Sequence, residues 1–335
     1  MMRSSSSKSA LLQEELCGLA KEARWLDALE KLESYDDIAS LDATLVSEIR
    51  EFGGEFRRAQ RECADASIEW EEGHSYLGTE TKFRYDDGGV LWLSTEGSME
   101  EVSAYHAVSV IREVALFGEW VPMIRWVNVV EALDFSRLCT FFAVGVRGVL
   151  VRDCVLRCAA CDASRRDGCL YFAGSSPEDA ETYFGRELPP RTWGLGFDRM
   201  YVKALHARIE FLSPTSQRCK IVAAVDLRIR LPRSLLDFLM KRLVGVFLLL
   251  WRRQARYLAN HPESPHRRKI NDDTAFYQDW LWPKYLAFLK TKGWKLPQEN
   301  AVDKENPTIE TKEERLLNDD DDPGKNHMTD NIPPR

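Results

Sequence analysis

Long hydrophobic runs are missing from this sequence. The most apolar stretch, residues 243–251, has nine residues, whereas a helix that crosses a bilayer needs about 20. It therefore reads as the buried face of a helix. Residues 1–9 are serine-rich and polar, with no adjoining apolar segment of the kind a secretory signal carries, so the expectation is a cytoplasmic protein. Phosphate loops, nucleophile elbows and metal-ligand motifs are absent. No catalytic residue, metal or cofactor is expected. No period recurs across residues 10–72, which leaves room for no more than a short helical hairpin of the tetratricopeptide sort.

The net charge of −7 argues against a dedicated nucleic-acid binder. That average conceals strong segregation. Residues 1–72 carry 9 basic and 17 acidic side chains, and residues 295–335 carry 6 and 11. Between them, residues 232–270 carry 9 basic against 2 acidic side chains, so one part of the chain is positive. Such a region could face anionic lipid head groups or an acidic partner. Eight cysteines without a targeting sequence suggest reduced thiols.

What is present is a clean change of texture. Residues 10–33 place Leu12, Leu16, Leu19, Ala20, Ala23, Leu26 and Leu29 at helical spacing, and two further helical stretches read as 37–52 and 54–72. From His74 the period becomes two. Runs on either side of Asp86-Asp87-Gly88-Gly89 predict a β-hairpin. A helix fits 103–116, and strand-like runs follow at 126–133, 138–146, 149–160, 169–174, 201–212 and 219–231, mostly joined by short turns. Short turns between consecutive strands imply an antiparallel sheet. Pro232 then opens a helix to about residue 260, with an apolar stripe through Leu235, Leu236, Leu239, Leu243, Val246, Phe247 and Leu250. An aromatic segment over 273–294 reads as a helix packed on its own domain or lying at a membrane. The remainder from 296 reads as a disordered acidic tail.

Two sequences carry a resemblance. One runs Val151-Arg152-Asp153-Cys154-Val155-Leu156-Arg157-Cys158, then through the basic turn Arg165-Arg166-Asp167-Gly168 into Cys169–Gly174. The other is Ala224-Val225-Asp226-Leu227-Arg228-Ile229-Arg230-Leu231-Pro232, leading directly into the long helix. Taken in order they resemble the START (StAR-related lipid-transfer) family. The resemblance implies an α+β helix-grip fold, a curved antiparallel sheet wrapped around a long C-terminal helix, with additional N-terminal helices. Its domain reading is an N-terminal helical extension at 1–36, a lipid-binding domain at 37–262, and a linker with an aromatic helix at 263–295. It further implies that the chain encloses one lipid (sterol, phospholipid or ceramide), performs no chemistry on it, and transfers or senses it with transient membrane contact. The final helix would act as a lid and the 175–200 loop as a gate.

Alternation along strands selects candidate residues for the cavity. Arg152, Cys154, Leu156 and Cys158 share one face. A head-group contact could come from Arg157, His206 or Asp226, and the lid would contribute Leu239 and Leu243. The arginine found inside the family's cavity corresponds to Arg157 if one residue is gapped; ungapped, its place is taken by Cys158. Trp193, Leu195 and Phe197, set between glycines, are the gate residues that would meet a membrane.

Cys154, Cys158, Cys161 and Cys169 suggest a zinc set, but Cys154 and Cys158 lie ~13 Å apart along one strand, too far for tetrahedral ligation. Two other readings stay open. One is a cavity enzyme of the polyketide-cyclase type, for which His206 and Asp226 are the evident pair. The other is a lipid-responsive scaffold whose N-terminal helices bind a protein partner.

Overall fold

In the computed structural model the described residues are 3–64, 68–88, 90–146, 150–177, 182–183, 186–187, 199–226, 228 and 233–295. The acidic tail, the gate residues Trp193, Leu195 and Phe197, and most of the 175–200 loop lie outside them.

The period-two segments form one open, wholly antiparallel sheet. Its strands are β1 (Glu71–Tyr76), β2 (Thr79–Tyr85), β3 (Leu91–Glu100), β4 (Ile124–Ala132), β5 (Arg137–Val146), β6 (Leu150–Ala163) and β7 (Cys169–Ser175). A two-residue pair, β8 (Thr182–Tyr183) and β9 (Arg186–Glu187), stands apart, and β10 (Tyr201–Ser213) and β11 (Ser216–Asp226) complete the sheet. The order is β1-β2-β3-β11-β10-β7-β6-β5-β4, so the last hairpin closes the gap between the first three strands and the rest.

Alternation gives the sheet two different faces. On the outer face β6 and β7 present Ala159, Cys161, Ala163, Cys169 and Ala173, small side chains that let helices approach closely. Three helices cover it: α1 (Arg3–Lys21), α2 (Trp25–Glu33) and α3 (Ala43–Ala64). Their stripes, including Leu16, Trp25, Leu29, Ile49, Phe52 and Phe56, share one buried cluster with the strands. The extension at 1–36 thus has no core separate from that of α3 and the sheet.

The inner face is crossed by α7 (Arg233–Asn260), which runs over β1, β2 and β3. Between β3 and β4 lie α4 (Ala104–Arg112) and the single turn α5 (Phe117–Trp120), while α6 (Ser164–Asp167) is the turn from β6 to β7. After α7, α8 (Pro265–Asp272), a π-helical turn (Ala275–Leu281) and α9 (Trp282–Thr291) fold back on the same domain. Phe276, Tyr277, Tyr285, Phe288 and Leu289 are buried there, so the aromatic segment packs on its own sheet. Among the described residues no helix is long and apolar enough to cross a membrane.

Candidate functional site

The register divides the inner face into rows. The lower end of the sheet carries the β4–β5, β6–β7 and β10–β11 turns. At the upper end β5 leaves and β6 enters, β7 ends, β10 begins and β11 hands over to α7.

The lower half is filled by side chains. Leu248, Trp251, Ala255 and Leu258 of α7 are buried with Met99, Ile209, Cys219 and Ile221. The Trp251 indole N–H donates to the Ala107 carbonyl at 2.9 Å. The C-terminal segment closes this end. Tyr277 donates its hydroxyl to Glu113 at 2.7 Å, Tyr285 donates to the Pro214 carbonyl at 3.2 Å, and the Phe288 ring lies 4.8 Å from that of Phe211.

The upper half is different. Leu91 and Leu93 of β3, Cys154 and Leu156 of β6, Met200 and Val202 form a separate buried apolar cluster, with Phe83, Tyr85, Cys158, Leu205 and Val225 packed against it. Every buried member among the described residues comes from the sheet or the residue leading into β10. The side chains of α7 residues 233–245 are not among those described, so Leu239 and Leu243 are placed on the helix and no further. The thiols on this wall are neutral: burial pushes that of Cys154 up to about 12 and raises that of Cys158 as well. Arg152, buried at 8% exposure, shares this face near the upper rim.

Three of the residues that sequence reasoning placed at the cavity stand elsewhere. Arg157 has the opposite parity to Cys158 and points outward. Its guanidinium pairs with Glu51 and, at 3.2 Å, with Glu55 of α3, and it lies 5.1 Å over the Phe52 ring. It fastens a helix to the outer face and is out of reach of an inner ligand.

His206 also faces outward. The regular alternation expected through Val202, Ala204 and His206 is broken by a bulge between Val202 and Ala204. A bulge inserts one unpaired residue and so exchanges the faces beyond it. Val202 lies on the inner wall, whereas Ala204 is buried outside with Trp92 and Val222. His206 sits between Ala173 and Val222 at 4% exposure; burial, then the nearby Arg58 charge, push its imidazole down to about 4.

Asp226 is exposed at the outer end of β11, where it accepts from the Arg228 amide at 2.8 Å. His206 pairs with Val222, four residues from Asp226, which separates the two by ~13 Å. The acid–base pair that a cavity enzyme would use is therefore not assembled. Cys158 faces inward while Cys161 and Cys169 face the helices, so these three thiols do not converge either.

The inner wall also contains residues that sequence reasoning passed over. Leu91, Leu93 and Phe83 follow from the alternation on either side of the Asp86–Gly89 turn. Thr81 and Thr95 do too, though threonine on a strand is too ordinary to draw notice.

No family model and no curated protein matches the chain. Solved structures share its architecture, two human proteins among them. The crystal structure of human STARD10 superposes with a TM-score of 0.54 at 15% identity, covering 69% of this chain and 87% of that one. Human StAR-related lipid transfer protein 5 superposes with a TM-score of 0.54 at 14% identity, covering 65% of this chain and 99% of that one. The open antiparallel sheet, its strand order and the long helix across its inner face are accordingly those of the START helix-grip fold.

Proposed function

We propose that the chain binds one lipid or sterol molecule against the upper inner wall, beneath the N-terminal half of α7, and performs no chemistry on it. The observation that carries this reading is the division of the inner face. Among the described residues, its lower half packs around Trp251 of α7, and its upper half gathers a separate apolar cluster from the strands. A lipid burying about 16 methylenes gains ~13 kcal/mol on leaving water, at roughly 0.8 per methylene. A wall of Leu91, Leu93, Leu156, Val202 and neutral thiols matches that need, and the charge on this face, Arg152, stands apart near the upper rim. The same fold in a human lipid transfer protein supports it.

Transfer between membranes extends the proposal. The lower half of α7 is pinned, so loading would proceed at the upper end, through the N-terminal half of α7 and the 175–200 loop, with Trp193, Leu195 and Phe197 meeting the bilayer in the cytoplasm. A protein partner for the N-terminal helices would act on the opposite face.

Native mass spectrometry of the protein purified from cells, with uptake of labelled lipid from vesicles, tests the core of this reading. We expect one lipid per chain, and we expect Leu156→Trp to abolish uptake while circular dichroism and melting temperature are retained. A protein that carries no lipid and takes none from vesicles of phosphatidylcholine, cholesterol and ceramide would end the proposal.

A further inference from the structure

The boundary between the filled lower core and the upper wall is polar at one point. In antiparallel register, Thr81 of β2 lies opposite Thr95 of β3, which in turn lies opposite Ile221 of β11 and, through it, Ala207 of β10. One row below, Gly97 meets the α7 side chain of Leu248, 3.1 Å from where a Cβ would stand. One row above, Phe83 and Leu93 begin the upper wall. Thr81 and Thr95 therefore stand at the floor of the proposed binding region.

Thr95 is fully buried at 0% exposure, and its hydroxyl has no hydrogen-bond partner. Thr81 is buried at 4%. Two other hydroxyls of this face are engaged: Thr140 donates to the Leu156 carbonyl at 3.3 Å, and Ser176 donates to the Val155 carbonyl at 2.8 Å while accepting from the Val202 amide at 3.0 Å. A buried hydroxyl left unpaired is costly, and native proteins rarely tolerate one without a reason. Threonine on a strand can be replaced by isosteric valine without loss of shape, so the fold does not require this hydroxyl.

We propose that Thr95, with Thr81 beside it, binds the neutral hydroxyl of a lipid that enters polar end first, its hydrocarbon lying along Leu93, Leu91 and Leu156 towards the upper rim. This rests on the lipid-binding reading above and narrows it to ligands bearing a free hydroxyl, such as a sterol or a long-chain alcohol. A threonine hydroxyl both donates and accepts, so it complements an alcohol fully. Among the described residues the floor offers no cation to an ionised head group: the buried charge of this wall, Arg152, is at the opposite end. A phosphate or carboxylate would have to be desolvated there without compensation.

The test uses the full-length protein and phosphatidylcholine vesicles carrying matched pairs: cholesterol against its 3-deoxy analogue, and 1-octadecanol against nonadecane. Wild-type protein should prefer the hydroxylated member of at least one pair by about five- to tenfold, the yield of one net hydrogen bond. Thr95→Val should erase that preference, leave uptake of the deoxy member unchanged, and melt no lower than wild type. Thr95→Ser should keep it. Uptake that ignores the hydroxyl, or a Thr95→Val protein that discriminates as wild type does, would overturn this inference and leave lipid binding standing. Uptake of none of the four, with no co-purified lipid, would instead remove the lipid-binding reading and this inference with it.

Discussion

Replacing His206 by leucine should make the protein less sensitive to acid, and the size of the effect follows from where the ring sits. His206 is covered by α3 and flanked by Ala173 and Val222, and one ring nitrogen, Nδ1, has no partner. Burial, then the Arg58 charge, hold its folded pKa near 4 instead of 6.5. Burial likewise lowers His106, beside Arg267, and His266 to about 4.

A histidine with a depressed folded pKa is neutral when folded. Its contribution is whole above the unfolded value of 6.5 and is lost as pH falls from 6.5 towards 4. Between pH 7.5 and 5.0 each such group costs ~2 kcal/mol, so three cost ~6 kcal/mol, a large share of a typical folding free energy of roughly 5–15 kcal/mol. Urea unfolding followed by tryptophan fluorescence at the two pH values measures this directly. We expect the His206→Leu protein to lose only ~4 kcal/mol over the same interval. At pH 7.5 it should be no less stable than wild type, because leucine removes an unpaired buried nitrogen. An equal loss in both proteins would show that His206 titrates freely and that α3 does not cover it.

Three further substitutions probe separate contacts. Arg157→Met should strand the Glu55 carboxylate, which is 5% exposed, and cost ~3–5 kcal/mol in urea unfolding; lipid uptake per folded molecule should be unchanged, and its selective loss would place Arg157 at the ligand after all. Tyr277→Phe leaves the Glu113 oxygen without its donor, so a loss of ~1–3 kcal/mol is expected, with faster amide exchange across 275–291; unchanged exchange would mean that the pair does not hold the C-terminal segment down. Gly97→Ala puts a Cβ 3.0 Å from the Gly78 carbonyl oxygen and 3.1 Å from the Leu248 side chain, which should lift α7 from β3 at a cost of ~1–3 kcal/mol in thermal unfolding; an unaltered melt would refute close contact at that row.

Strand sequence and the turns between strands were legible because period two survives wherever pairing is regular. Expected runs at 138–146 and 169–174 meet β5 and β7 within one residue at either end. Legibility fails where a single residue changes parity. Nothing in Val202-Lys203-Ala204 announces the bulge that turns His206 outward, since a bulge is set by the pairing partner as much as by its own residues.

Gly53-Gly54 misleads in another way. It suggests a break between two helices, yet α3 runs unbroken from Ala43 to Ala64. A Cβ at Gly53 would stand 2.7 Å from the Leu29 Cβ and 3.1 Å from the Trp25 carbonyl oxygen, so this glycine permits helix contact and does not end a helix. The outward turn of Arg157 was undecided for a related reason. Its parity is fixed only once β6 is registered against Cys139 of β5, a long-range fact that no local pattern contains.

The two faces of the sheet divide the chemistry between them, and that division constrains what the protein can recognise. The outer face gathers the ion pairs of Arg157 with Glu51 and Glu55 and of Arg199 with Asp153, together with the neutral His206, all in contacts that dock or brace structure. Charge there acts on the protein itself. The upper inner wall has neutral thiols, aliphatic side chains and one unpaired hydroxyl, with Arg152 near its rim. Away from that rim, shape and a single hydrogen bond must provide discrimination, and one hydrogen bond yields about tenfold at most. Selectivity among lipids would then rest chiefly on the span a ligand can occupy between Thr95 and the rim. Below Thr95 stand Leu248 and Trp251, and the Trp251 indole donates to the Ala107 carbonyl. A ligand too long for that span cannot push deeper, because the lower core is already full, and can be accommodated only by displacing the upper half of α7. The helix that would admit the lipid is thus also the element that measures it.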